Sequence, residues 1–160
     1  IMKHAMTEET ALARLESLCA RSERCHFELA TKLRNWQVPG SVAERILQSL
    51  RENRFYDDER FARAFVREKY LFQRWGRNKI VSQLYAKRID RATIDEALSE
   101  IEVRRYAANA FKLVAAKLKS LPEEMPQIEK RTRLLRYGVS RGYETSLIIK
   151  IIESRRLWNC

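Results

Sequence analysis

Asp57–Arg91 reads DDERFARAFVREKYLFQRWGRNKIVSQLYAKRIDR, and it shows both the structural unit of this chain and its most basic surface. Asp57, Asp58 and Glu59 precede the apolar series Phe61, Ala62, Phe65, Val66. Carboxylates at that position meet the unpaired N–H groups and positive potential of a helix N-terminus. The series falls at i, i+1, i+4, i+5, which lays one apolar stripe along a helix and sends Arg63, Arg67 and Lys69 elsewhere. Trp75-Gly76 is predicted to end that helix. A second follows, with Ile80 and Leu84 inward, and closes near Ile89. A third starts near Thr93 and carries Ile94, Ala97, Leu98 and Ile101.

The same three-helix pattern lies on either side. Upstream, Ala11, Leu12, Leu15, Leu18 and Cys19 define one helix, and Leu29, Leu33 and Trp36 a second. After Val38-Pro39-Gly40, Ser41–Glu44 reads as a capping box for a third with Val42, Ile46, Leu47 and Leu50. Shifting by 51 residues aligns Leu29 with Ile80, Leu33 with Leu84, Val38 with Ile89, Ala43 with Ile94, Leu47 with Leu98 and Leu50 with Ile101. Six apolar positions in register make a repeat. Downstream, Tyr106, Ala107, Ala110, Phe111, Val114 and Leu118 form a longer first helix stopped at Leu121-Pro122. Tyr143, Ile148, Ile151 and Ile152 sit 105 residues from Val38, Ala43, Ile46 and Leu47. Gly138 takes the place of the leucine expected at that offset, and Gly142 supplies a left-handed stop. Strand signals are absent, because apolar residues step by three or four. The expectation is an all-α fold, an elongated, curved array of three tandem three-helix repeats over residues 7–55, 56–102 and 103–158, each with a modest core and contacts limited to the junctions.

Composition narrows the partner. Lys+Arg number 32 against 21 Asp+Glu, giving a formal charge of +11 and a pI near 9.9, which favours a polyanion. At 45% hydrophobic and periodic, the chain is too apolar for a disordered basic tail, and its apolar runs are far short of the roughly 20 residues that span a bilayer. Cys19, Cys25 and Cys160 are odd in number with no leader ahead of them, which points to a reducing cytoplasmic setting. Cys19, Cys25 and His26 lack the fourth ligand of a tetrahedral zinc site, so neither metal nor cofactor is expected. The residues before Met6 carry no reading.

Catalysis is not indicated. Asp57-Asp58-Glu59 could hold a hard cation, but consecutive residues at a helix start diverge, and capping accounts for them. His4 and His26 have no nucleophile in recognisable context. The basic residues are more informative. Between Arg74 and Arg91 there are six (Arg74, Arg77, Lys79, Lys87, Arg88, Arg91) against one acid, Asp90. Between Lys130 and Arg141 there are five (Lys130, Arg131, Arg133, Arg136, Arg141) against none. Arg74, Arg77, Lys79, Lys87, Arg88, Arg131, Arg133, Arg136 and Arg141 are the candidate DNA- and filament-binding residues, making sequence-independent phosphate contacts. Tyr70, Phe72, Trp75 and Tyr85 lie beside the first cluster, and their helical spacing assigns them to core packing rather than to base stacking.

DDERFARAFV, the following RWGRNKIVSQLYAKRID and the RGY before the final helix resemble the RecX family of recombination regulators. The resemblance runs from about Ala11 to Ser154. It implies a cytoplasmic protein of tandem three-helix repeats with no enzyme activity; a monomer without membrane association is expected. Its partners would be the RecA recombinase filament and single-stranded DNA, with duplex DNA the second choice. It would lodge along the filament groove and restrain ATPase, strand exchange and coprotease activities. Family members usually carry glycine where this chain has Arg88, a change expected to alter that turn. The rivals are a helix-turn-helix DNA-binding protein and a protein-only scaffold. Against the first, the third helices begin with Glu44, Asp95-Glu96 and Glu144, which phosphates repel. Against the second stands the +11 charge.

Overall fold

The computed structural model describes residues 6–160. His4 lies outside the described residues. Ten helices follow in order: α1 (Glu8–Arg21), α2 (His26–Asn35), α3 (Gly40–Glu52), α4 (Asp58–Leu71), α5 (Arg77–Ala86), α6 (Arg91–Leu98), α7 (Val103–Ser120), α8 (Gln127–Ser140), α9 (Thr145–Glu153) and the short α10 (Arg155–Trp158). Among the described residues there is no strand, so the fold is all-α. The chain exposes 10608 Å². A compact monomer of 19.0 kDa exposes about 8,400 Å², so this one is drawn out.

The register of 51 and 105 residues is written in the hydrogen bonds. At the end of α2 the Val38 N–H donates to Leu33 O, at the end of α5 the Ile89 N–H to Leu84 O, and at the end of α8 the Tyr143 N–H to Gly138 O. Beside each, Gln37 N–H reaches Arg34 O, Arg88 N–H reaches Tyr85 O and Gly142 N–H reaches Val139 O, all at 2.9 Å. These are three Schellman turns, and each places one residue in the left-handed region: Gln37 (φ 59), Arg88 (φ 56) and Gly142 (φ 95). Arg88 therefore keeps the turn that glycine was expected to be needed for, at the strain a side chain carries there.

Among the described residues the apolar cores number two, not one per unit. Ala11, Leu15, Leu29, Leu33, Val38, Ile46, Leu47, Leu50 and Tyr56 form the first, within α1–α3 and the segment after it. The second runs unbroken from Phe61, Val66, Ile80 and Leu84 through Ile94 and Ile101 to Tyr106, Val114, Leu134, Tyr143 and Ile148. Gly138 accounts for one irregularity of the third unit: a Cβ there would lie 2.6 Å from Ile148 Cδ1, so the glycine makes room for the isoleucine side chain.

Local readings differ in places. Asp57 caps α4 by accepting from the Arg60 N–H at 3.0 Å, and Asp90 caps α6 by accepting from Thr93 at 2.8 Å. The capping box at Ser41 does not form, because α3 starts two residues earlier than that cap requires, at Gly40 after Pro39, and has no side-chain cap. The proline ring pre-sets φ ahead of the helix. The helix α4 ends at Leu71, short of Trp75-Gly76, and this leaves Phe72 outside the packed surface at 81% exposure. Tyr85, on the outer side of α5, is also exposed, its hydroxyl accepting from Arg91 at 3.2 Å. Of the four aromatics assigned to packing, Tyr70 is buried and Trp75 half-buried.

Candidate nucleic-acid interface

Eight of the nine candidate cations divide by location into two joints between units and one open face, and Arg131 lies apart. At the joint of the second and third units the backbone turns approach closely. The Gly76 N–H donates to Arg141 O at 2.8 Å and the Asn78 N–H to Gly142 O at 2.9 Å. The Tyr143 hydroxyl donates to Arg74 O at 2.7 Å. Arg77 is held from both ends: its N–H donates to the Tyr106 hydroxyl at 2.9 Å, and its guanidinium lies 4.1 Å from the Tyr106 ring centre and 3.3 Å from Glu144. The Tyr106 hydroxyl in turn donates to Glu144 at 2.6 Å. Burial and that hydrogen bond both push the Tyr106 hydroxyl up, and burial pushes Tyr143 up to about 12, so both remain neutral donors. Arg141 donates to Gln73 O at 2.9 Å. Arg74 is exposed, and Lys79 sits 4.3 Å over the Trp75 ring.

At the joint of the first and second units the contacts run through side chains. Lys87 Nζ lies 2.6 Å from Glu28, Arg60 Nε lies 2.8 Å from Glu23, and the Arg88 guanidinium covers the Phe27 ring at 5.3 Å. The Glu23 hydrogen bond raises the pKa of Arg60. Asp58 reaches back to accept from the His26 N–H at 2.8 Å, supplying from α4 the cap that Cys25 does not give α2. His26 Nδ1 lies 3.0 Å from the Tyr56 hydroxyl.

The open face belongs to the hairpin of α7 and α8. Arg133, Arg136, Tyr137 and Ser140 of α8, with Lys117 of α7, line a shallow recess of about 370 Å³. Lys117 Nζ stands 5.1 Å over the Tyr137 ring, and Arg133 pairs with Glu129 at 3.0 Å, one turn back. Arg136 is exposed and makes no ion pair among the described residues. Arg131 is turned away from this recess, with its guanidinium 5.5 Å from the Trp158 ring, and it lines a different groove with Leu135, Ile149 and Ile152. Sequence reading passed over Lys117. Its signal was the six-residue connection 121–126, which folds the end of α7 back along α8.

Three-helix units strung end to end, with Schellman turns in register, define a tandem helical-repeat protein. Residues 57–98 match the sequence profile described as RecX, second three-helix domain. Regulatory protein RecX of Streptomyces coelicolor is 26% identical over 144 residues, covering 90% of this chain and 76% of its relative. That of Mycolicibacterium smegmatis is 27% identical over 159 residues, covering 94% and 84%. Among solved structures, a regulatory protein RecX superposes with TM-score 0.83 at 22% identity, covering 92% of this chain and 73% of the other. RecX from Lactobacillus salivarius superposes with TM-score 0.79 at 19% identity, covering 96% and 97%. Residues 57–98 thus carry a RecX-type three-helix domain, and most of the chain is similar to RecX regulatory proteins. Among the described residues no helix is long and apolar enough to cross a membrane.

Proposed function

We propose that this chain regulates a RecA-type recombinase, binding as a cytoplasmic monomer along the groove of the filament on single-stranded DNA and restraining its ATPase, strand exchange and coprotease activities. It acts through its partners rather than through chemistry of its own. The observation that carries the reading is the match of residues 57–98 to a RecX domain within an extended chain of charge +11. A drawn-out array of three units, over residues 7–55, 56–102 and 103–158, suits a long partner surface, and linked weak contacts gain from effective concentration. Of the nine candidate cations, Arg74 and Arg136 are exposed and make no ion pair among the described residues, and Arg133 pairs only with Glu129 one turn back. Arg77, Lys87 and Arg141 have partners within the chain and contribute positive potential from there.

The helix-turn-helix alternative is less well supported. The helices that would enter a groove begin beside exposed Glu44, Asp95 and Glu96, and Glu144 is engaged by Tyr106 and Arg77. The test is ATP hydrolysis by a RecA filament on single-stranded DNA with purified protein added. Slowing of hydrolysis is expected. Unchanged hydrolysis and strand exchange at saturating protein, with DNA binding intact, would leave a general DNA-binding protein as the better account.

A further inference from the structure

We infer that the recess between α7 and α8, bounded by Lys117, Arg133, Arg136, Tyr137 and Ser140, is the site that takes the phosphodiester backbone of a nucleic-acid strand, and that Lys117 is one of its contact residues. The inference deepens the proposed function and rests on it.

Three cations converge there from two helices, and the side chains lining the recess include no carboxylate. Glu129 reaches only Arg133, from one turn away, as an i,i+4 pair on the exposed surface. Such a pair is weak and yields to a phosphate. Arg133 and Arg136, at i and i+3, stand about 5–6 Å apart at Cβ, a spacing suited to successive phosphates of one strand. The Ser140 hydroxyl adds a donor to phosphate oxygen. It now donates to Tyr137 O at 2.7 Å, a local bond that a ligand can replace. Lys117, lying over the Tyr137 ring, is held on the hairpin instead of trailing in solvent.

The other basic stretches lack this combination. At the joint of the second and third units, Arg77 faces Glu144, and at the joint of the first and second, Lys87 faces Glu28. The groove beside α4 holds Lys69 and Lys87 but also Glu23, Glu28 and Glu68, which repel a phosphate chain. A membrane surface is disfavoured as the ligand, because it needs exposed apolar side chains beside the cations. No large aliphatic side chain lines this recess, and the exposed Ile149 lies in the groove between α8 and α9.

The experiment measures binding of a fluorescein-labelled oligo(dT) by anisotropy, at several salt concentrations, for the full chain and three single variants of equal charge change. These are Lys117→Glu, Arg136→Glu and, as control, the exposed Lys150→Glu on α9. Lys117→Glu and Arg136→Glu are each expected to weaken binding about tenfold or more and to flatten the slope of log K against log salt by about 0.7. Lys150→Glu is expected to shift affinity by less than about threefold, a non-specific charge effect. Lys117→Gln, read with thermal unfolding, separates lost contact from lost fold. Equal losses in all three variants, or none in the first two, overturn the site and leave the nucleic-acid reading standing. Failure of the unaltered chain to bind at low salt overturns both. Displacement of the oligonucleotide by inorganic phosphate at matched phosphate concentration overturns the assignment to a polymer.

Discussion

Gly76→Ala should damage this protein more than the loss of any single surface contact. A Cβ at residue 76 would lie 2.1 Å from Gly142 C, 2.2 Å from Tyr143 N and 2.3 Å from Gly142 O, all backbone atoms that cannot swing aside. Ordinary contact needs well over an ångström more, so the two turns must part. Parting them breaks the Gly76–Arg141 and Asn78–Gly142 hydrogen bonds and strains the one from Tyr143 to Arg74 O. Two to three bonds at about 1 kcal/mol each, with about 1–3 kcal/mol for overpacking, give about 3–6 kcal/mol. That is a large share of the 5–15 kcal/mol that typically holds a domain together. With a urea m-value of about 2 kcal/mol/M, the midpoint should fall by about 1.5–3 M. The control is Gly40→Ala: nothing lies within 4 Å of its added Cβ, and the position opens α3. That variant should be neutral or stabilised by up to about 1 kcal/mol. If Gly76→Ala and Gly40→Ala unfold at the same urea concentration, the close approach of the two turns is not a stabilising feature of the folded protein.

Other perturbations separate burial from exposure. Leu84→Ala, at a fully buried position, should cost about 2–5 kcal/mol in urea unfolding, and the half-buried Phe65→Ala less than the 3–5 kcal/mol of a fully buried phenylalanine; the reverse order would contradict the core assignment. Burial pushes the Cys25 thiol up to about 11, so in the native protein at pH 8 a maleimide should label the exposed Cys160 and spare Cys25. Tyr143 has its pKa raised in the folded state, so its contribution is fully present below the unfolded value near 10 and is lost as pH rises towards 12; stability that did not fall across pH 10–12 would refute this. A double-mutant cycle on Glu28→Gln and Lys87→Met should give a coupling on the order of 1 kcal/mol that shrinks with added salt, since both groups are partly exposed; a salt-independent coupling would count against it.

The repeat was legible because its signals are local. Apolar steps of three and four mark the helices, and Leu33, Leu84 and Gly138 begin the same turn in each unit, so the register survives even where the side chain is lost. Asp57 and Asp90 are caps readable from residue type alone. Contacts far apart in sequence were not readable. Gly76 reads as a helix stop, yet it is required because Gly142, 66 positions later, passes against it. Cys25 belongs by sequence to the first unit, yet it packs in the second core. Among the candidate cations, a charge count could not distinguish Arg77, drawn onto Tyr106 and Glu144, from Arg136, which faces solvent. Lys117 was missed because its neighbours on the open face come from the next helix.

The two joints show how one repeat geometry yields two kinds of connection. Position 76 of the second unit corresponds to position 25 of the first at the 51-residue offset, and position 142 of the third corresponds to position 88 of the second. At the second joint both positions are glycine, so backbone meets backbone and the second and third units share a core. At the first joint the same positions are Cys25, whose buried side chain packs in the second core, and Arg88, whose guanidinium covers the Phe27 ring. Ion pairs and the Asp58 cap add to that contact, and the core of α1–α3 stays distinct. Backbone hydrogen bonds and apolar packing are insensitive to salt, whereas partly exposed ion pairs are screened by it. The α7–α8 face therefore sits on two units joined by backbone hydrogen bonds and a shared core, whereas the attachment of the first unit adds ion pairs that salt weakens to the packing of Cys25 and Phe27.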